Sequence, residues 1–469
     1  MSGASRRPEL AFRVADQLRA EAPWDLIGQR ATTYELHLQG TNVELERGPI
    51  TLEGYGLRVF RPRGAALGTG FQASTDLSAE GVKAVVQDAE AAARHAEFPA
   101  KSVTLPSGQP APREVPVVDP KLWADPAGTI RAYVDALLKG FEGRPGAVLT
   151  FGSVKATLSE TSLANSAGLR VGYPSTFVEM ELGVKAFGGP EGRPPGEFWV
   201  TKSGRTLPVA EAAGPVDDWC RYAADVRRAV PPPSGELPVV LPPDVLSGIL
   251  PHVVGARFTG GARLRKIAPE TGTQVGSDPV TITDQGDYPL GVGSSPYDDE
   301  GTPRSRRTLL DHGKVAALLY DSLYASAFGT TTTGSGNRVR AGPGGTIRFL
   351  NRPAPGESTL VLTPGSGGTT EELAEAAGDG VLVTQLGWAS PDPISGSFGG
   401  EIRIGYRIRG GKVAEPVRGG TVGGMVFTSP GNPSLLASTE AVGSHAELVD
   451  RLATPPLLVR PLSVAGANA

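Results

Sequence analysis

A chain of 469 residues is longer than one hydrophobic core organises, so two domains are expected. Its 39% hydrophobic and 20% charged content is ordinary for a globular protein, and a net charge of −4 gives no overall attraction to nucleic acid or an anionic membrane. A single cysteine, Cys220, excludes an internal disulfide framework and a multi-cysteine metal knot, while 63 glycines and 42 prolines favour a turn-rich β fold over a helical bundle. The N-terminal segment is basic but lacks the apolar stretch of a secretory signal, and no window approaches a membrane span. The expectation is a cytoplasmic protein.

Leu10, Val14 and Leu18 recur at four-residue spacing and predict a helix over 8–21. Alternating segments at 34–39, 43–48 and 56–60 predict strands. Thr75–Ser78 offers N-cap residues for an Ala-rich helix over 79–96, and a second helix is predicted over 126–141. Long β segments fill 147–187 around a turn at Asn165–Gly168, and 198–204 closes the sheet. A helix over 216–229 holds Trp219 and Cys220, where a lone thiol reads as a small buried hydrophobe.

The Pro-rich run around 231–236 is the predicted linker between domains 1–230 and 237–469. After a short strand at 237–241, residues 242–265 read as an apolar helix entering a Gly-rich basic turn. The remainder is mostly β, with strands at 280–284, 308–320, 345–351, 358–364, 380–388 and 401–417. Hairpin turns are predicted at Asp311–Lys314 and Arg409–Lys412, and a capping box at Thr369–Glu372. The fold class is therefore α+β, each domain a predominantly antiparallel sheet with flanking helices, the second domain richer in β.

Three places invite chemistry. The helix after Pro242 offers one histidine, His252, with Pro251 before it and no Asp or Glu between Val245 and Pro269. A metal hydrolase needs clustered ligands and a carboxylate for the proton of its water, so His252 reads as structural or groove-lining. Asp298-Asp299-Glu300 could hold a divalent cation or act as a base, but adjacent acids on extended chain point to opposite faces. A solvated, backbone-capping turn is the plainer reading. Residues 330–345 are Gly-rich and carry Asn337, Arg338 and Arg340, yet complete neither a P-loop nor GxGxxG. There is no GxSxG elbow.

Several segments together resemble the TldD/TldE family, in which TldE is also called PmbA. They are VELERG…GYGLRVF…GTGFQASTDLSAEGV, ETSLANSAGLRVGYPSTFVEMELGVKA, SSPYDDEGTPRSRRTLLDHGKVAALLYDSLYASAFG, TGSGNRVR, STLVLTPG and DPISGSFGGEIRIGYRIRGGKVAEPVRGGT, in family order. The resemblance implies HExxxH on the helix opening the C-terminal domain of TldD-type subunits, with a late cysteine completing a zinc site. Laid on ILPHVVGA, that motif puts Pro251 at the first His, His252 at the Glu and Ala256 at the second His, and no Cys follows Pro416. This is the TldE pattern. It implies that no metal is bound by this chain, that zinc sits in a TldD-type partner, and that the heterodimer encloses a chamber for extended or leader peptides, including those of natural-product maturation. The groove candidates are His252, Asp298, Asp299, Glu300, Asn337, Arg338 and Arg340. The alternatives are an autonomous hydrolase or transferase using the Asp298–Glu300 loop and His252, or a peptide-binding scaffold.

Overall fold

Alternation of apolar and polar residues runs through the first third of the chain with few breaks, and it builds strands longer than the sequence signals. The computed structural model describes residues 9–110, 114–144, 146–188, 194–338, 347–387 and 389–466. Strands β1 (Trp24–Gln39), β2 (Asn42–Arg63), β3 (Ala66–Ser74), β4 (Ala147–Asn165), β5 (Arg170–Ala186) and β6 (Gly196–Gly204) form one antiparallel sheet in the order β3-β2-β1-β4-β5-β6. The predicted strands at 43–48 and 56–60 are one strand, because Pro49 lies where β2 has no outer neighbour. There its missing N–H breaks no ladder bond.

Helices α1 (Leu10–Gln17), α2 (Ala79–His95), α3 (Pro120–Ala124), α4 (Pro126–Phe141) and α5 (Val216–Arg228) flank this sheet, and α1, α2, α4 and α5 pack on one of its faces. Leu26, Leu36 and Leu38 of β1 point into that layer. Ser78 Oγ caps α2 by accepting from Gly81 N at 3.1 Å, as its sequence predicts. Helix α1 is shorter than the predicted 8–21, since Leu18 turns extended.

On the opposite face the C-terminal half covers one end and touches the β6 edge. Phe349 lies against Gly54 and Gly56, and Ile27, Leu163, Leu169, Val171 and Tyr173 form one cluster with Tyr297 and Phe349.

The C-terminal half holds a six-stranded sheet, from Ile282–Gln285 to Leu452–Thr454, and a seven-stranded sheet that includes β7 (Gly235–Leu241) and the final strand Leu457–Ala465. Pairing is antiparallel except that β7 runs parallel to Gly380–Gly387, and Leu360–Leu362 parallel to Leu452–Thr454. The hairpin turns fall where predicted, with His312 and Gly313 at φ 48° and 71°, and Gly410 and Gly411 at 52° and 77°. The capping box at Thr369 and Glu372 is formed.

Other expectations are corrected. The strand expected over 308–320 stops at Val315, and residues 316–321 lead instead into the short helix Ser322–Ala327. Of the strand expected over 345–351, residues 345 and 346 lie outside the described residues, and 347–351 form no strand. The linker is shorter than 231–236, because Gly235 already pairs with Val464.

Candidate functional site

The segment after Pro242 starts as the helix Pro243–Ser247, and after a short turn it continues as a π-helical turn over Pro251–Gly255. Proline has no N–H to bond four residues back, and a widened turn accommodates it. Val245, Leu246, Ile249, Leu250, Val253, Val254 and Phe258 are buried in the main C-terminal core, which fixes the turn's orientation. Pro251 inside this turn and Ala256 just past its end are the two positions at which the resemblance implies metal ligands. The side chains do not supply them.

His252 is the exposed member of this turn. Partial desolvation of its ring lowers its pKa, Asp450 opposes this and Arg451 adds to it. Below it, Glu357 lies against Gly255 so closely that a Cβ there would come within 2.1 Å of the carboxylate. Glu357 is raised by burial, against the pull of Arg451, whose guanidinium stands 3.5 Å away. Asn337 donates from its amide to the carbonyls of Gly356 and Glu357 at 2.9 and 2.8 Å. The donor set here does not suit zinc. Pro251 and Ala256 carry no ligand atom, and among the described residues no three His, Cys, Asp or Glu side chains converge on one point.

The acidic loop behaves differently from either sequence reading. Asp298, Asp299 and Glu300 are 0%, 1% and 2% exposed, so they form neither a solvated turn nor a groove wall in this chain. Their oxygens are all engaged. Asp298 accepts from Glu300 N and Thr302 N through Oδ1 and from Gly336 N through Oδ2. Asp299 accepts from Arg348 Nη1 at 3.0 Å and from Arg338 N at 2.7 Å. Glu300 accepts from Ser322 N at 2.7 Å and pairs with Arg58.

Arg58 also pairs with Asp25, and Asp25 accepts from Arg338 Nη2 at 2.8 Å. The result is a buried chain running Arg348–Asp299–Arg338–Asp25–Arg58–Glu300, its Asp299–Arg338 link made by the Arg338 backbone N–H, built from both halves of the molecule. Burial disfavours the charge on Asp299, but Arg348 and the Arg338 N–H overcome it and hold the carboxyl below its usual range. Asp298 is pushed up to about 7 by burial and by Glu300, and Asp321 is pushed well up by the same two causes. Each of these carboxylate oxygens has a partner and the three side chains are buried, so this loop does not present a base to a substrate. Arg338 is 0% exposed and structural. Arg340 lies outside the described residues.

Sequence reasoning missed Asp25 and Arg58. The signal was present, since each is a lone charge inside an apolar strand (WDLIG, GLRVF), and a buried charge requires a partner. Nothing local shows that their further partners, Glu300 and Arg338, lie beyond residue 298.

Residues 234–466 match the family model for the PmbA/TldA metallopeptidase C-terminal domain. A metalloprotease TldD homolog of Haemophilus influenzae is 29% identical over 259 residues, 53% of this chain and 52% of its own length. Metalloprotease PmbA of Escherichia coli is 24% identical over 232 residues, 49% of this chain and 46% of its own. The chain thus matches about half the length of these curated relatives. The crystal structure of TldE from Thermococcus kodakarensis superposes with a TM-score of 0.78 at 21% identity, covering 98% of this chain and 99% of that one. A C-terminal half that fits the family's own domain, and a fold shared end to end with a TldE, place this chain in the TldD/PmbA family.

Proposed function

We propose that this chain is a non-catalytic, TldE-like subunit that pairs with a TldD-type zinc metallopeptidase to form a peptide-cleaving chamber. The observation that carries this reading is the π turn at Pro251–Gly255. It lies where the resemblance implies a zinc motif, and Pro251, His252 and Ala256 stand at that motif's positions. Zinc belongs to the partner, and this chain contributes a wall along which an extended peptide lies. Recognition through main-chain bonding at strand edges would make the chamber tolerant of substrate sequence and suited to unfolded or leader peptides, including precursors of natural products.

The test is co-expression with a TldD-type protein from the same genome, followed by size exclusion and cleavage of an unstructured peptide. The expected result is a stable complex that cleaves, with both subunits required and all zinc removable by mutating the partner's motif. Cleavage by the partner alone at full rate, or no association, overturns the proposal. Peptide binding without any association would favour a scaffold instead.

A further inference from the structure

Helices pack on one face of the N-terminal sheet, and on the other the C-terminal half covers the Asp25–Gln29 end, where Gln29 accepts from Arg348 N at 2.8 Å, and reaches the β6 edge through Asp450 and Gln385. Between these contacts part of that face is an exposed floor, and strand register sets its rows. Glu35 stands opposite Lys155, Lys155 opposite Glu179, and Glu179 opposite Ser203. Lys155 Nζ lies 3.2 Å from Glu179. Ser203 Oγ donates to Asp450 at 2.8 Å, and the charge of Asp450 acts on His252. Glu181 is exposed in the neighbouring row.

An aromatic shelf stands further along the same floor. The Phe151 ring lies across β5 above Gly183 and meets Trp199 of β6 edge-on, with centroids 5.2 Å apart. Gly183 is required here, since a Cβ would sit 2.2 Å from the Phe151 ring. Trp199 is 40% exposed, and its carbonyl accepts from Gln385 Nε2 at 2.6 Å, which ties the shelf to the C-terminal half.

We propose that this floor is a specificity subsite for an extended peptide. A large apolar side chain stacks on Trp199 and Phe151, and a lysine or arginine nearer the π turn meets Glu179 and Glu181. The proposal rests on the peptide-processing reading above and names the substrate class. Trp199 and Ser203 are four residues apart on one strand, about 13 Å at ~3.3 Å per residue, so an extended peptide covers the same span with about four residues. On the rows of this patch Glu35, Glu179, Glu181 and Glu197 stand against Arg47, Lys155 and Lys185, and the exposed Glu181 is the carboxylate in excess, so the complementary charge on the peptide is positive. A rigid, half-exposed tryptophan gains contact area at low entropy cost and is the residue type most enriched among binding hot spots.

The test uses the full chain alone and a fluorescent, unstructured Gly/Ser peptide carrying one leucine and one lysine about four residues apart. A second peptide has serine for leucine, and a third has glutamate for lysine. Anisotropy should show the leucine–lysine peptide binding about tenfold more tightly than the serine version. Trp199→Ala and Gly183→Ala should each erase that preference, with the melting temperature of Trp199→Ala near wild type. Glu181→Lys should invert the lysine-over-glutamate preference. Equal binding of all three peptides by the wild type, or a leucine preference that survives Trp199→Ala, overturns the subsite. Failure to associate with a TldD-type subunit overturns only the chamber reading, because anisotropy on the lone chain decides the subsite separately.

Discussion

Asp25 and Glu35 stand on the same face of β1, in the same sheet, each beside a basic residue, and they occupy opposite regimes. Asp25 lies under the C-terminal half at 2% exposure and is locked to Arg58 and Arg338. Glu35, its side chain 23% exposed, stands 3.2 Å from His37 Nε2 and opposite Lys155 in the register. Similar residues on one face thus do two jobs. Where the second half covers the sheet, charges act as a clamp between halves. Where it does not, they form a wettable surface. Burial decides which, because attraction between charges grows as water is excluded while the cost of an unpaired charge grows faster.

The sharpest way to break this comparison is at Arg58. Arg58→Ala leaves Asp25 and Glu300 buried without their shared cation, and a loss of about 3–5 kcal/mol is expected, read from urea or guanidinium midpoints. The second test is pH. Asp298 is held at about 7, above its unfolded value, so the folded state binds the proton more tightly than the unfolded one. Its contribution is present below about pH 4 and is lost as pH rises toward 7, with a slope of up to about 1.4 kcal/mol per pH unit. Unfolding midpoints at successive pH values should show that component in the wild type, and Asp298→Asn should lack it. The smallest effect belongs to the floor. Lys155→Ala removes a solvent-screened pair and should cost less than about 1 kcal/mol in the same assay.

The sequence made the element types legible wherever periodicity was strong, as in α2, α4 and the β4–β5 hairpin. It hid β3, whose GTG core looks like a loop. There Gly68 and Gly70 admit α2 so closely that a Cβ would lie within 2 Å of the Ala93 and Ala89 carbonyls. Only the packed helix explains those glycines. The π turn at Pro251–Gly255 was not legible, since no local propensity signals a widened turn. The acidic loop misled most. Three consecutive acids look solvated, and their cations come from residues 58, 338 and 348, which pattern reading does not bring together.

The clamp also has a consequence for how the chain is made. Asp25 and Arg58 emerge from the ribosome long before Glu300 and Arg338, so the finished N-terminal sheet waits, with Ile27, Leu163 and Tyr173 uncovered, until most of the polypeptide exists. Contacts of such sequence separation slow the final docking step and leave that apolar patch open to chaperones or to other chains in the interval. A nascent chain stalled before residue 298 should therefore be caught by holdases that ignore the completed protein.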